Sequence, residues 1–381
     1  MNIGIIGAGH AGVAAALSIV KTGNEVTLFS NESFLPYFRP RIPAVAFGQA
    51  VPEEAVMHPD SWYRENKINL KLNSEVTEIT PDCIITAAGG KKHCFDKIII
   101  TAGAVPIIPP FAKNCNKKSV IPLWNIENAE FIRKRIIDVK KIVIIGGGVI
   151  GMEAALRAVD AGLSVTIIER FDCLMKRNLS AKASNLLAQI LKNKGITLYT
   201  GHTVESIDDS SKLINIATDK KNDIKADLVI LSIGNTFNLQ FTENSGLEKD
   251  RAVIVDNHMQ TSDENFFAAG DISQLPDIIN VCSAVKAVKQ GKVAAVNSVS
   301  GSSEMTVFES EPISVMLKYK DFQLYAVGRT PGEDGLTEEI LENTGETYRA
   351  VVKENNKIAG IQMIGSLEDY KKFEKVFLSE Q

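Results

Sequence analysis

Cysteine and histidine are both scarce in this sequence. Its 381 residues include five scattered histidines and five cysteines, of which no two form a C-x-x-C pair. A small disulfide scaffold or a zinc ribbon needs closely spaced cysteines or histidines, so both classes are excluded. Free thiols suit a reducing compartment. We therefore predict a cytoplasmic protein without a metal site.

A concentrated excess of positive charge is missing as well. The formal net charge is −4 at pH 7, and charged residues make up 23% of the chain. Proteins that bind nucleic acid usually carry clustered basic side chains, so we predict no nucleic-acid partner. The hydrophobic content of 45% is ordinary for a globular protein, and the length suffices for two or three domains.

Only one stretch is apolar enough to suggest a membrane. Ile3–Val20 carries no formal charge over 18 residues, which is close to the length of a membrane span. That stretch has four glycines within nine residues and follows no basic segment, which argues against a signal peptide or an anchor. A strand buried in a parallel sheet is equally apolar. We predict no membrane contact.

The same stretch contains a glycine fingerprint, Gly7-x-Gly9-x-x-Gly12, between an apolar strand and a helix. In such a motif Gly7 makes a tight turn, Gly9 admits a pyrophosphate close to the backbone, and Gly12 lets the helix pack on the strand. The free amide groups at the start of the helix favour phosphate. The pattern predicts a dinucleotide site.

The fingerprint occurs a second time, 139 residues later, as Gly146, Gly148 and Gly151. Of the 28 positions that align without a gap, from Ile3–Ser30 onto the second copy, 13 are identical. A lone fingerprint is weak evidence, but two inside matching strand–helix–strand units are not explained by chance. The chain is therefore predicted to hold two dinucleotide sites.

The remaining elements are predicted more coarsely. The repeat extends to a later segment of each unit, Asp96–Gly103 in the first and Ala226–Gly234 in the second. Each segment contains an acidic residue, an apolar strand and a closing glycine. Alternation and turn residues predict the following further elements: a helix over Glu53–Asn66, strands over Leu70–Val76 and Cys83–Thr86 with a turn at Gly89–Gly90, a helix over Asn125–Val139 with Arg133, Lys134 and Arg135 exposed, helices over Ala181–Lys194 and Ala284–Ser298, and tail strands over Ile313–Tyr319, Gln323–Val327, Tyr348–Val352 and Ile358–Ile364 before a final helix.

With the two fingerprints, Thr101-Ala102-Gly103 and Phe267-Ala268-Ala269-Gly270-Asp271 in this order, the chain resembles flavoproteins with two dinucleotide-binding domains, the pyridine nucleotide-disulfide oxidoreductase superfamily. The resemblance implies an α/β fold with two Rossmann-like domains, the second inserted in the first, and a small C-terminal α+β domain. The implied boundaries are 1–108 and 236–305 for FAD, 109–235 for NAD(P)H, and 306–381 for the C-terminal domain.

Carried over by position, the resemblance implies an FAD site and an NADH site. In the family, the helix that follows Gly270-Asp271 points its positive end at the flavin. The implied FAD residues are Gly7, Gly9, His10, Ala11, Gly12, Ser30, Asn31, Glu32, Arg39, Arg41, Val76, Thr101, Ala102, Gly103, Gly270, Asp271 and Ala284. The implied NADH residues are Gly146, Gly148, Val149, Ile150, Gly151, Glu169, Arg170 and Gly234.

The two copies differ where the second strand ends. An acidic side chain there accepts hydrogen bonds from an adenosine ribose. The second copy has Glu169, which favours NADH because a carboxylate repels a 2′-phosphate, although the adjacent Arg170 leaves NADPH as an alternative. The first copy has Ser30 at the equivalent position, with Glu32 two residues further on.

Glu153 lies one helical turn into the second unit. In the family this carboxylate neighbours the nicotinamide and the flavin, so the resemblance implies a catalytic role for it. An ordinary glutamate on a helix surface is the alternative interpretation.

The branch of the superfamily follows from a missing thiol. Members that use a dithiol or a single cysteine place it near residues 40–50, whereas this chain has no cysteine before Cys83. A thiol would be needed to pass electrons on covalently. Residues 35–41, L-P-Y-F-R-P-R, resemble the P-Y-x-R-P stretch of NADH:rubredoxin reductases, of ferredoxin reductases of oxygenase systems, and of nitrite reductases. Ala44 replaces a lysine that many oxygenase-type relatives have.

The resemblance therefore implies an oxidoreductase that passes electrons from NADH through FAD to a small redox carrier such as rubredoxin. Two alternatives stay open: an NADH oxidase that reduces oxygen directly, and a non-enzymatic flavoprotein that senses NADH. Arg39 and Arg41 either form a positive rim for an acidic carrier or anchor their own loop and contact FAD phosphate. The tail offers a surface for a homodimer.

Overall fold

The computed structural model describes residues 1–221, 223–276, 282–300, 305–310, 312, 314–331, 335–367 and 369–379. Within these ranges the chain forms two compact units. No helix in these ranges combines the length and the apolar character that crossing a bilayer requires.

Helices and strands alternate through most of the chain. The α-helices are α1 (His10–Val20), α2 (Ile42–Ala46), α3 (Pro52–Ala55), α4 (Asp60–Glu65), α5 (Ile126–Arg135), α6 (Val149–Asp160), α7 (Ala181–Asn193), α8 (Ala284–Val299) and α9 (Tyr370–Ser379). The β-strands are β1 (Asn2–Ile6), β2 (Glu25–Phe29), β3 (Ile68–Lys71), β4 (Val76–Thr80), β5 (Ile84–Ala87), β6 (Lys91–Cys94), β7 (Lys97–Ile100), β8 (Val105–Pro106), β9 (Val120–Pro122), β10 (Lys141–Ile145), β11 (Ser164–Glu169), β12 (Ile196–Thr200), β13 (Val204–Asp208), β14 (Ile214–Thr218), β15 (Asp223–Ala226), β16 (Leu228–Leu231), β17 (Asn235–Thr236), β18 (Val253–Ile254), β19 (Phe266–Ala268), β20 (Ser273–Gln274), β21 (Ser314–Tyr319), β22 (Phe322–Gly328), β23 (Leu336–Asn343), β24 (Tyr348–Glu354) and β25 (Lys357–Ile364).

The first unit comprises residues 1–39, 52–105 and 235–311. Its main sheet is parallel, with the strand order β19-β7-β1-β2-β3. The central strand β1 buries Ile3 and Ile5 completely, as expected for a strand covered on both faces. Helices α1 and α8 pack so closely that a Cβ at Gly291 would lie 2.3 Å from the carbonyl oxygen of Ala11. A glycine is therefore required at this crossing.

The second unit comprises residues 40–51, 106–234 and 312–381. Its main sheet is also parallel, with the order β12-β11-β10-β16-β9, so each strand has a counterpart in the first sheet. Each unit also has a three-stranded antiparallel sheet, β4-β5-β6 or β13-β14-β15, between corresponding strands. The predicted repeat thus reaches beyond the fingerprints to whole sheets.

The tail forms a five-stranded antiparallel sheet in the order β21-β22-β25-β24-β23. Helix α9 packs on it and buries Phe377 against Tyr325 and Met363. The prediction missed β23, whose sequence contains three glutamates. Within the part of the chain that the structure describes, this strand pairs only with β24, and an edge strand with one exposed face tolerates charge. Of the predicted first tail strand, Ile313 lies outside the described residues.

The predicted fold class is confirmed: the chain is α/β, with two Rossmann-like units and a small C-terminal α+β part. The division into units differs from the predicted boundaries by one to six residues at three boundaries and more widely in two places. Residues 40–51 group with the second unit, and so does the tail. The assignment of each range to FAD or NAD(P)H stays a prediction at this point.

Three predicted elements are wrong in extent. The helix over Glu53–Asn66 is two short helices, because Pro59 disfavours helical backbone in the residue before it. The strand over Leu70–Val76 ends at Lys71, since Asn73 adopts a positive φ of 50° in a turn.

The third, the helix predicted over Asn125–Val139, ends at Arg135. Val139 is buried where the chain enters β10, so it does not continue the helix. Of the three basic residues predicted to be exposed, only Lys134 is; Arg133 and Arg135 are half-buried.

Candidate functional site

The first fingerprint forms a cradle at the carboxyl edge of its sheet, between β1 and α1. Gly7 has a φ of +107°, and a Cβ there would lie 2.4 Å from the carbonyl oxygen of Thr101. A Cβ at Gly12 would lie 2.0 Å from the carbonyl oxygen of Gly7. A Cβ at Gly9, by contrast, would meet nothing within 4 Å. Two of the glycines are thus required by packing, and the third faces open space.

The second fingerprint repeats this geometry. Gly146 has a φ of +109°, and its Cβ would lie 2.2 Å from the carbonyl oxygen of Ser232. A Cβ at Gly151 would lie 2.1 Å from the carbonyl oxygen of Gly146, while Gly148 faces open space. Val149 and Ile150 begin α6, and Ile150 is exposed. The two cradles share one backbone design.

Both cradles present the start of a helix without a cap. Gly9 and Gly148 are the N-cap residues of α1 and α6, no side chain accepts a hydrogen bond there, and neither first turn contains an acidic residue. In contrast, Asn125, Ser180 and Ser283 cap α5, α7 and α8 with their side chains. Amide groups left free beside a glycine with open space fit the pyrophosphate of a dinucleotide such as FAD or NADH.

The end of β2 does not offer a free carboxylate. Ser30 is buried, and its Oγ accepts a hydrogen bond from the amide of Glu32 at 3.2 Å. The carboxylate of Glu32 accepts from the hydroxyl of Tyr37 at 2.8 Å and from Arg39 at 3.0 Å. Arg39 also lies over the Tyr37 ring, at 5.6 Å from its centroid. Glu32 and Arg39 therefore hold the loop after β2 together.

The end of β11 is arranged differently. Glu169 lies beside its own glycine loop, where its Oε2 accepts from the amide of Gly147 at 2.8 Å and its Oε1 accepts from the amide of Phe171 at 2.9 Å. These two bonds fix the carboxylate at the edge where a ribose would meet it. The neighbouring Arg170 is exposed and stacks on the Phe171 ring at 4.6 Å.

Asp271 follows a strand end in the first unit, next to a glycine whose backbone is held by a buried side-chain amide. Gly270 has a φ of +82°, and its amide donates to Oε1 of Gln290 at 3.0 Å. Gln290 is fully buried, and its Nε2 donates to no acceptor among the described residues. Burial raises the pKa of Asp271, while Cys282 and Arg39 oppose that shift. Sequence reasoning missed Gln290, although a glutamine among alanines in a core helix is a detectable signal.

The other predicted FAD residues fall into three groups. His10 begins α1 next to the Phe38 ring, and burial and Arg39 lower its pKa. Thr101 is buried and donates from Oγ1 to the carbonyl oxygen of Gly7 at 2.8 Å. The rest are placed as follows: Ala11 buried in α1, Asn31 and Ala102 exposed, Val76 buried in β4, Gly103 at a φ of +67°, and Ala284 at the start of α8.

Two predicted residues belong to the second unit. Arg41 is exposed at the end of a short 3-10 helix before α2. Its segment, residues 40–51, groups with the second unit, whereas Arg39 belongs to the first. Gly234 has a φ of +102°, and its carbonyl oxygen accepts from the amide of Ile107 at 3.2 Å.

Glu153 is neither exposed nor alone. Its side chain is 15% exposed and pairs with Arg157, one turn further along α6, at 2.7 Å. Burial raises the pKa of Glu153, and the hydrogen bonds and charge of Arg157 oppose that shift. Glu153 is therefore not a fully exposed helix residue, and its catalytic role stays a prediction. Sequence reasoning missed Arg157, although an arginine four residues after a glutamate on a helix is a recognised pairing pattern.

A chain with two such cradles is a protein that binds two dinucleotides. The family model described as pyridine nucleotide-disulphide oxidoreductase matches residues 1–291. Because that match spans well over half of the sequence, the chain belongs to the pyridine nucleotide-disulphide oxidoreductase family.

Individual relatives agree with this membership. The chain is 26% identical to the NADH-rubredoxin oxidoreductase of Clostridium acetobutylicum, over 99% of this chain and 94% of that protein. It is 29% identical to the rubredoxin-NAD(+) reductase of Pseudomonas putida, over 94% of each. A solved structure of the covalent putidaredoxin reductase–putidaredoxin complex matches with a TM-score of 0.90 and 22% identity, over 100% of this chain and 93% of that one; it shows the same fold.

These comparisons confirm the predicted superfamily, enzyme class and cofactors. The chain is a flavoprotein oxidoreductase that binds FAD and uses a nicotinamide dinucleotide.

Proposed function

We propose that this enzyme transfers electrons from NADH through FAD to a small redox protein such as rubredoxin. The observation that carries the proposal is the pair of uncapped glycine cradles, together with a segment 40–51 that contains no cysteine. Two cradles supply sites for two dinucleotides, and without a thiol there the electrons need an external acceptor. The two relatives described above, from Clostridium acetobutylicum and Pseudomonas putida, are both named for rubredoxin.

The first unit is proposed to hold FAD. Amide groups at the start of α1 bind the pyrophosphate, Gly9 leaves room for it, and Thr101 fixes the glycine turn through the carbonyl oxygen of Gly7. Asp271, positioned by Gln290, binds a hydroxyl or phosphate-side group of the cofactor. When bound, FAD supplies the redox chemistry, since it accepts two electrons together and releases them singly.

The second unit is proposed to hold NADH. Gly148 and the start of α6 bind its pyrophosphate, and Glu169 accepts from the adenosine ribose hydroxyls. NADH is preferred over NADPH because the fixed carboxylate of Glu169 repels a 2′-phosphate, whereas Arg170 is held on the Phe171 ring. Orientation of the two dinucleotides supplies most of the catalysis.

The proposal is tested by NADH consumption of the purified holoprotein with and without added rubredoxin, in air and under argon. We expect rubredoxin to accelerate NADH oxidation severalfold in both atmospheres. If added rubredoxin leaves the rate of NADH oxidation in air unchanged, rubredoxin is not the acceptor and oxygen is. Slow turnover with every acceptor, and a long-lived reduced protein, would indicate a sensor.

A homodimer through the tail is proposed on a smaller basis. The edge strands β21 and β23 expose Met316 and Leu341, and α9 exposes Val376 and Leu378. Light scattering on the holoprotein as it leaves a size-exclusion column measures the molar mass of the particle. We expect twice the mass of one chain, and a monomer at all concentrations would reject the dimer.

A further inference from the structure

Both oxygens of the Glu32 carboxylate accept hydrogen bonds from its own loop. Oε2 accepts from the hydroxyl of Tyr37 at 2.8 Å, and Oε1 accepts from Nη2 of Arg39 at 3.0 Å. The side chain of Glu32 is 22% exposed, and Tyr37 is buried. The carboxylate therefore links a buried hydroxyl to a guanidinium, and charge-assisted bonds of this kind are stronger than neutral ones.

Backbone bonds fix the loop segment that carries Tyr37 and Arg39. The amide of Phe38 donates to the carbonyl oxygen of Ala55 at 2.8 Å, and Tyr37 forms an isolated β-bridge with Val56. The guanidinium of Arg39 also lies over the Tyr37 ring, at 5.6 Å from its centroid. The position of the guanidinium is thus set by the carboxylate, by the ring and by the backbone of the segment.

This segment lies beside the start of α1. The Phe38 ring is 5.8 Å from the ring of His10, the first residue of that helix. Burial, and then the charge of Arg39, lower the pKa of His10. Burial raises the pKa of Asp271, and the charge of Arg39 is one of the influences that oppose that shift. The guanidinium therefore lies close enough to the first cradle to act on charges there.

A guanidinium beside the start of a helix brings two positive charges together. Helix α1 has no side-chain cap and no acidic residue in its first turn, so its first amide groups carry uncompensated positive character. An anion that binds both this helix end and Arg39 relieves the repulsion between them. Phosphate suits both, since guanidinium and backbone amides each donate to its oxygens. The open space at Gly9 leaves room for it.

We propose that Glu32 and Tyr37 are positioning residues that hold the guanidinium of Arg39 against the pyrophosphate of the dinucleotide in the first cradle. Glu32 then acts through Arg39 and does not make the ribose contact that an acidic residue after the second strand would otherwise make. In the second copy, by contrast, Glu169 bonds the amide of Gly147 in its own glycine loop. The proposal rests on the proposed assignment of FAD to the first unit.

Removing the charge of Glu32 separates this role from two alternatives. If Glu32 only repels the pyrophosphate, Glu32→Gln strengthens FAD binding, because a negative charge near the phosphates is lost. If Glu32 binds the ribose, the same variant weakens FAD binding whether or not Arg39 is present. If Glu32 positions Arg39, the variant weakens FAD binding only while Arg39 is present.

The experiment measures the dissociation constant of FAD by titrating the flavin-free chain and following the change in flavin fluorescence. Arg39→Met should raise the constant about tenfold, the cost of a lost charge-assisted bond to phosphate. Glu32→Gln and Tyr37→Phe should each raise it about threefold when Arg39 is present. Added to Arg39→Met, neither change should have a further effect, because residues that act through one another are not additive.

Two controls exclude a general loss of structure. Glu25→Gln removes an exposed carboxylate from the start of the same strand, β2, and should leave the FAD constant unchanged. Arg39→Lys keeps the charge without the planar fork and should recover part of the affinity that Arg39→Met loses. Tyr37→Phe keeps the buried ring and removes only the hydroxyl, so it tests the proposal even if Glu32→Gln does not fold.

An FAD affinity that is unchanged or stronger in Glu32→Gln and Tyr37→Phe would overturn the proposal. Losses of affinity in these two variants that persist in the Arg39→Met background would overturn it as well. An FAD affinity that Gly9→Val leaves unchanged would instead reject the assignment of FAD to the first cradle, since a valine there fills the open space. The two failures are therefore distinguishable.

Discussion

The two cradles of this chain are nearly identical in backbone, and they differ in the residue that follows or ends the second strand, Ser30 in the first copy and Glu169 in the second. The first glycines have φ values of +107° and +109°, and the Cβ clashes at Gly12 and Gly151 are 2.0 and 2.1 Å. At the end of the second strand, however, Glu169 bonds its own glycine loop, whereas Ser30 is turned toward Glu32.

The difference teaches that the two copies share the glycine geometry and differ in the residue proposed to meet a ribose. Packing leaves no alternative to glycine at the turn, so the fingerprint survives in both copies. The residue that follows or ends the second strand is under no such packing constraint, and it differs: Glu169 bonds the amides of Gly147 and Phe171, and Ser30 bonds the amide of Glu32. Glu32 serves the loop that carries Tyr37 and Arg39 instead.

The largest expected effect comes from adding a methyl group to one cradle at a time. Gly12→Ala forces a Cβ into the carbonyl oxygen of Gly7, so we expect the protein to lose its FAD and its yellow colour. Gly151→Ala creates the same clash in the other copy, and we expect it to keep FAD and lose NADH binding. Gly345→Ala, where a Cβ meets nothing within 4 Å, is the control and should behave as the wild type. If either variant lost FAD and NADH binding equally, the assignment of the first cradle to FAD and the second to NADH would be contradicted.

A smaller effect is expected at the ribose contact. Glu169→Ala removes a fixed carboxylate, so the Michaelis constant for NADH should rise about tenfold or more, the cost of a lost charged hydrogen bond. FAD content should be unchanged. Glu32→Ala is the matched change in the first copy and should leave the NADH constant unaltered. Unchanged NADH kinetics in Glu169→Ala would remove Glu169 from the site.

Replacing Asp271 is expected to raise the stability of the FAD-free protein and to lower its affinity for FAD. Because burial raises its folded-state pKa, the ionised form destabilises the FAD-free protein, and stability falls as pH rises above the usual range of a free aspartate. Asp271→Asn should therefore stabilise the FAD-free protein by about 1 kcal/mol at neutral pH and weaken FAD binding. Thermal melting with and without FAD checks both. A lower melting temperature of the FAD-free variant would show that the carboxylate stabilises the fold.

The smallest expected effect concerns the carrier. Arg39 is engaged with Glu32 and Tyr37, whereas Arg41 is exposed, so Arg41 is the better candidate for a positive rim. Arg41→Gln should slow electron transfer to rubredoxin a fewfold at low salt, and the difference should shrink as salt is added. Reduction of ferricyanide by the same preparation serves as control. Equal slowing with both acceptors would place Arg41 in FAD binding.

The sequence was sufficient for the fold class and both fingerprints because tight packing makes Gly7, Gly12 and their counterparts irreplaceable. It failed at one local signal, Pro59, which divides a predicted helix, and where strand pairing decides, because the edge strand β23 carries three glutamates. For the site, position alone predicted Glu169 and Asp271. Local patterns signal Gln290 and the Glu153–Arg157 pair, but their distant partners, Gly270 for Gln290 and Tyr319 for Arg157, are brought close only by the fold.

The most direct test of two separate dinucleotide sites is the bleaching of the flavin by NADH in Gly148→Val holoprotein without oxygen. A valine there fills the open space of the second cradle and leaves the first untouched. We predict a yellow protein that NADH no longer bleaches, although dithionite still does. Bleaching by NADH at the wild-type rate would contradict the account.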